Sequence, residues 1–226
     1  MTLRLRMALA SVFVGALALS SCSQTPSAQE SPSGQESSAV SSSSQASSPS
    51  PAQSSAAAEI PAGYQEITAP TAKISVAVPE DWVNFDDLTD EQIEAVASEV
   101  GMSPEQYKQS LTQLDVFYRA PAPDAQDFTT NLNIAKRAVV SAPPTEDETV
   151  QVLQQQNCVL DSYEQVQTAN GAGVAAAYTL SAGSVQSKGN MLFLPNADGA
   201  ITTITISAST PEAAKEIADV VVKTAH

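Results

Sequence analysis

The chain has 226 residues and a formal net charge of −15, with 25 acidic residues against 10 basic ones. That balance makes nucleic acid and bare anionic lipid surfaces poor partners and suits an exported domain kept soluble by its acidity. Two cysteines and a single histidine leave too few ligands for a zinc site and too few partners for Ser-His-Asp or Cys-His catalysis.

At the start of the chain, Arg4 and Arg6 precede an apolar run from Met7 to Leu19, the charged-then-hydrophobic order of a secretory signal peptide. A bilayer-spanning helix needs roughly 20 apolar residues, so this shorter run, which stops at small residues, reads as a segment that is cut off. Leu19-Ser20-Ser21-Cys22 resembles the lipobox of bacterial lipoproteins, in which the cysteine sulfur takes a diacylglyceryl group and the cysteine becomes the mature N-terminus. An ordinary signal peptide with a chance cysteine is the competing reading. It does not account for the register of charge, apolar length, small residues and cysteine.

Residues 1–21 are therefore read as a lipoprotein signal peptide and 22–60 as a disordered tether of Ser, Ala, Gln and Pro, in which Val40 and Ile60 are the only large apolar residues. Such a composition cannot offset its own ordering entropy. As a coil the tether spans about 35 Å, extensible to ~130 Å. Residues 61–226 form one domain large enough for a hydrophobic core. With Cys22 acylated, Cys158 has no intrachain partner and reads as a small buried hydrophobe.

In the folded part, Tyr64 to Thr68 alternates like a short strand, and Ile74 to Val78 alternates more strictly, with Pro79 closing it. The Glu80-Asp81-Trp82 turn delivers the single tryptophan, with Phe85 three residues on. Thr89 with Gln92 is a capping box opening a helix along Ile93, Val96 and Val100, and Gly101 stands where its C-terminal cap belongs. Ser103-Pro104-Glu105-Gln106 opens a second helix, with Tyr107, Leu111 and Leu114 on its buried face. The carboxylates Asp86, Asp87, Asp90, Glu91 and Glu94 suit a helix N-terminus. They lack the glycine turn of a calcium loop.

Asp115–Arg119 and Leu132–Val139 read as strands around a Pro/Asp loop. Thr145 with Glu148 caps a third helix through Val150 and Leu153, with Cys158 as a further candidate for its end. Tyr163–Gln167, Gly173–Ser181, Val185–Leu194 and Ile201–Ser207 read as strands, the last two joined by an Ala197-Asp198-Gly199 turn. Short turns make them antiparallel neighbours. Thr210-Pro211-Glu212 starts a final helix whose Ala214, Ile217, Ala218 and Val221 cover the sheet. The predicted class is α+β: an antiparallel sheet with helices laid against it.

The Ile74–Trp82 segment (I-S-V-A-V-P-E-D-W), the middle strands and helix, and the hairpin from Gly189 to Ile206 followed by a closing helix together resemble the actinobacterial LpqN/LpqT-type lipoproteins. Their domain is similar to that of PsbP, the extrinsic photosystem subunit. The resemblance covers 61–226 and the lipobox. It implies an α/β/α sandwich and a binding or accessory role, in some members linked to traffic of cell-envelope glycolipids. It supplies no catalytic motif.

The residues also argue against familiar enzymes. His226 stands at a position expected to fray, no lysine has a serine three residues before it, and Gly171-Ala172-Gly173 precedes a β pattern where a dinucleotide loop needs a helix. Among 25 acidic residues a glycosidase pair is invisible in sequence, but aromatics that would line a sugar cleft are only 5% of the chain. The expected function is a non-enzymatic binding module without metal or cofactor, lipid-anchored on the outer face of the cell membrane. A pocket between sheet and helix layer would hold an envelope lipid or glycolipid, lined by Trp82, Phe85, Phe117, Tyr118 and Phe193. The alternative is a protein–protein adaptor that docks an envelope transporter or enzyme through a sheet edge or apolar patch.

Replacing Cys22 by Ala is expected to abolish lipidation and move the protein from the membrane to the soluble fraction. Fractionation and intact-mass measurement check this, and membrane retention with unchanged processing would sink the lipobox reading.

Overall fold

The computed structural model describes residues 59–99, 102–136, 141–182 and 185–226. The signal peptide, Cys22 and the tether up to residue 58 lie outside the described residues, as do Val100, the Gly101 cap and the end of the strand expected to reach Val139.

The fold starts with an antiparallel hairpin, β1 (Tyr64–Ala69) and β2 (Ile74–Pro79). A short β3 (Val83–Asn84) and a 3-10 turn at Phe85–Asp87 lead into α1 (Asp90–Glu99) and α2 (Pro104–Leu111). Both expected capping boxes form. Thr89 N–H donates to Gln92 Oε1 at 2.8 Å and Gln92 N–H returns to Thr89 Oγ1 at 3.3 Å, while Ser103 and Gln106 do the same at 3.1 and 3.2 Å. Across the helix pair, Lys108 Nζ reaches Asp90 at 2.6 Å and holds that carboxyl below its usual range. The acidic cluster is thus partly an inter-helix tie.

β4 (Leu114–Arg119) and β5 (Asn131–Ala135) follow, then α3 (Glu146–Gln155), capped by Thr145 and Glu148. Four long strands come next: β6 (Cys158–Thr168), β7 (Gly171–Ala182), β8 (Val185–Pro195) and β9 (Ile201–Ala208). The chain closes with α4 (Pro211–Thr224), begun by Thr210, whose Oγ1 accepts from Ala213 N–H. Leu114, expected on the second helix, is the first residue of β4. A register shift between Leu114 and Val116 turns it toward α1 and α2, so it packs with them from the sheet. Cys158 likewise begins β6, because α3 has already ended at Gln155 and Asn157 turns the chain at φ 57°.

β3 to β9 form one seven-stranded sheet in the order β3-β4-β5-β9-β8-β7-β6, antiparallel throughout. One face carries the β1–β2 hairpin and α4. The core between them joins Ile74, Val76 and Val78 to Leu132, Ile134, Leu192, Leu194, Ile204, Ile206, Ile217 and Val221. The opposite face carries α3 near β6, with Leu153 against Tyr178, Met191 and Phe193, and α1–α2 near β4, with Tyr107 against Phe85 and Phe117. Each large aliphatic side chain so buried contributes about 1.5–3 kcal/mol. The architecture is the expected α+β: an antiparallel sheet between helical layers.

His226 does not fray. Its carbonyl accepts from Ser75 N–H at 2.9 Å, its own N–H donates to Ser75 O at 3.1 Å, and Thr224 Oγ1 accepts from Ala77 N–H at 2.9 Å. The outer edge of β2 provides the partners that a free terminus lacks.

One close approach sets the spacing of the long strands. The Tyr178 ring of β7 lies flat over Gly189 of β8, where a Cβ would sit 2.3 Å from the ring and 2.5 Å from the Ile206 carbonyl. The phenol continues to Ile206 O and Ser207 Oγ, both at 3.4 Å, and burial pushes its pKa upward. Because the obstructing groups include backbone, they cannot yield cheaply. Gly189→Ala is expected to destabilise by about 3 kcal/mol, read as a lowered urea midpoint at unchanged slope. A loss below ~0.5 kcal/mol would mean that β7 and β8 are not held this way.

Candidate functional site

A groove of about 570 Å³ opens on the first sheet face, between α4 and the outer strands β6, β7 and β8. Its cause is visible residue by residue. Three of the β7 positions that point to this face, Gly173, Ala175 and Ala177, have almost no side chain, and Thr179 follows them at the rim. The intervening Val174, Tyr178 and Leu180 point to the other face and join its core. α4 spends its main apolar stripe, Ala214, Ile217, Ala218 and Val221, on the core. A second stripe, Pro211, Lys215, Ala218, Asp219 and Val222, recurs at helical spacing and looks down on the shallow part of β7.

The groove floor is small and apolar, from Val166, Ala175, Ala177, Ala218 and Val222, and the rim is charged. Lys188 lies 3.8 Å from Asp161, whose carboxylate also accepts from Thr179 Oγ1 at 2.6 Å. Lys215 Nζ binds both carboxylate oxygens of Asp219, at 2.6 and 2.8 Å, which raises the pKa of the ammonium. Lys223 and Glu164 also line the groove, and neither has an ion pair among the described residues. Three of the chain's ten basic residues therefore stand around this groove.

Asn190 is the distinctive group. It lies in β8 directly beside Ala177, which lies beside Ser162. Only 7% of it is exposed, it lines the groove, and its carboxamide has no hydrogen bond among the described residues. Its polar atoms open into the groove, so a ligand offering a donor and an acceptor would take the place of water there.

The five aromatic residues expected to line a pocket do not converge. Trp82 is buried in the core of the first face, and Tyr118 packs partly against that core. Phe85 and Phe117 meet on the other face, ring centroids 5.2 Å apart, with Phe85 edge-on to Tyr107 at 5.4 Å. Phe193 sits in the third cluster, beneath α3. None of the five lines the groove. Cys22 lies outside the described residues. Asn190, Lys215 and Lys223 were missed from the sequence; the available signal was the run of Gly and Ala at alternate positions of β7.

No family model and no curated protein matches the chain. Among solved structures it is similar to the solution structure of cyanobacterial PsbP (CyanoP) from Synechocystis sp. PCC 6803, with TM-score 0.42 and 15% identity over 74% of this chain and 93% of that one. It is also similar to the crystal structure of the Saccharomyces cerevisiae Ran-binding protein Mog1p, with TM-score 0.44 and 10% identity over 72% of this chain and 94% of that one.

Cys158 lies under α3, and burial pushes its thiol up to about 11. It is therefore the neutral thiol at pH 8, and thiolate is the reactive form. Thiol reagents are expected to leave it unmodified in the native chain and to react fully in urea. Native-state labelling at the rate of free cysteine would overturn the assigned burial.

Proposed function

We propose that the chain is an extracytoplasmic lipoprotein of the LpqN/LpqT type, anchored through Cys22, whose folded part is a non-enzymatic binding module for a cell-envelope lipid or glycolipid. The observation that carries the reading is the groove between α4 and β6–β8, with the Asn190 carboxamide opening into it beside an apolar floor. Its volume falls within the roughly 300–1,000 Å³ of ligand pockets. The apolar floor suits an acyl or alkyl portion. The rim, where carboxylates and ammoniums balance, offers acceptors and donors together, which suits a polyhydroxyl or zwitterionic headgroup better than a simple anion. The tether leaves the module free to reach from its anchor toward neighbouring envelope machinery.

Native mass spectrometry of the full chain purified from a bacterial envelope, followed by organic extraction, tests the proposal. A stoichiometric mass increment that extracts as a lipid is expected. Ala177→Phe, which fills the groove from its floor, should lower occupancy at least about tenfold, or ~1.4 kcal/mol, with an unchanged circular dichroism spectrum. An apo mass that persists after envelope lipids are offered, or full occupancy in Ala177→Phe, would refute it.

A further inference from the structure

The two edges of the seven-stranded sheet are unequal. One is β3, two residues long; the other is β6, eleven residues long and paired only with β7. A strand bonded on one side leaves every second N–H and C=O pointing outward, and proteins blunt such edges by shortening them, by placing Lys or Pro on them, by bulges or by covering them. The edge of β2 is treated in this way, since Ser75 and Ala77 are occupied by His226 and Thr224. β6 carries no Lys, Arg or Pro, and its one irregularity is the register shift at Asp161. Beyond that shift, Ser162 to Thr168 stays in unbroken register opposite Ala177 to Gly171. No backbone or side-chain hydrogen bond reaches the outer edge of this stretch from another described element. Tyr163 holds the strand in place, its hydroxyl donating to Pro144 O at 2.8 Å.

We propose that β6 is a strand-addition site that takes an extended segment of a partner protein carrying a basic residue opposite Glu164 and an apolar residue opposite Val159. Backbone bonds supply affinity in this mode and alternate side chains supply selection. Glu164 is exposed and forms no close ion pair, sensing only the charge of Lys215 across the groove, and Val159 is 63% exposed, the most open large hydrophobic residue among the described residues. A second copy of this chain is the poorer occupant. β6 contains Asp161 and Glu164 and no base, so self-pairing would bring carboxylates together between chains that each carry a net charge of −15. The strand edge and the groove share Glu164 at the groove rim, while Asn190 lies two strands inward on β8; backbone pairing along β6, read by peptide N-methylation, is what separates the two readings.

The test selects short random peptides displayed on phage against the immobilised full chain, then follows synthetic winners by titration and hydrogen exchange. Winners are expected to alternate apolar residues with Lys or Arg and to slow exchange at the outward amides of β6. N-methylation along one edge of such a peptide should weaken binding at least about tenfold, while methylation along its other edge spares it. Glu164→Lys, an exposed change that leaves the fold intact by circular dichroism, should weaken binding about fivefold or more. Absence of enrichment over bare support, protection confined to other elements, or binding indifferent to methylation on both edges would each overturn the proposal. Sedimentation of the chain alone as a dimer with protected β6 amides would overturn it in favour of the second copy.

Discussion

The backbone of one turn residue, Ala72, holds the layers of this protein in register. Ala72 sits in the turn between β1 and β2, fully buried; its N–H and that of Thr71 donate to Asp115 Oδ2 of β4 at 2.8 and 2.7 Å. Its carbonyl accepts from Asn196 Nδ2 at 2.8 Å and Thr202 Oγ1 at 3.4 Å, at the β8–β9 turn. Beside it, Lys73 at φ 56° accepts from Ala197 N–H and reaches Asp198 across the surface. A non-glycine residue in that left-handed region costs about 1–2 kcal/mol, so the turn depends on these partners. They fix where the hairpin lies on the sheet. The hairpin in turn fixes α4 through Thr224 and Ala77, and the groove is what remains beside α4.

Local chemistry was legible in the residues, and tertiary consequences were not. The caps at Thr89, Ser103, Thr145 and Thr210 each need only one neighbouring turn, so they are written within four residues. Leu114 and Cys158 sat one element away from their expected places because helix ends are decided by the strands that compete for the same residues. The aromatic lining failed for a reason already present in the sequence. Phe117 and Tyr118 are neighbours in one strand, so they must point to opposite faces and cannot share a pocket. Asn190 could not be recognised, because whether a carboxamide has partners depends on residues far away in the chain.

Charge is distributed with the same economy. The net charge of −15 disfavours close approach of a second copy, while Lys188 of β8 and Lys215 and Lys223 of α4 line one groove, partly neutralised by Asp161 and Asp219. The result is a polar but nearly uncharged rim on a strongly acidic body. Exposed pairs of this kind contribute roughly 0–1 kcal/mol each, so their value lies in orienting donors and acceptors and little in stability.

The strand order also dictates a sequence of events in time. β6, β7, β8 and β9 are successive hairpins, which close over short loops and can zip within microseconds. β4 and β5 can pair across the loop that joins them, but the other side of β5 has no partner near it in the chain: Leu132 must wait for Ile206. During synthesis the amino-terminal strands therefore emerge before their template exists, and the loop that joins them to it must close late. The rate of assembly is governed by the meeting of β5 with β9, and a chain interrupted before β9 would leave its first half without a surface on which to order.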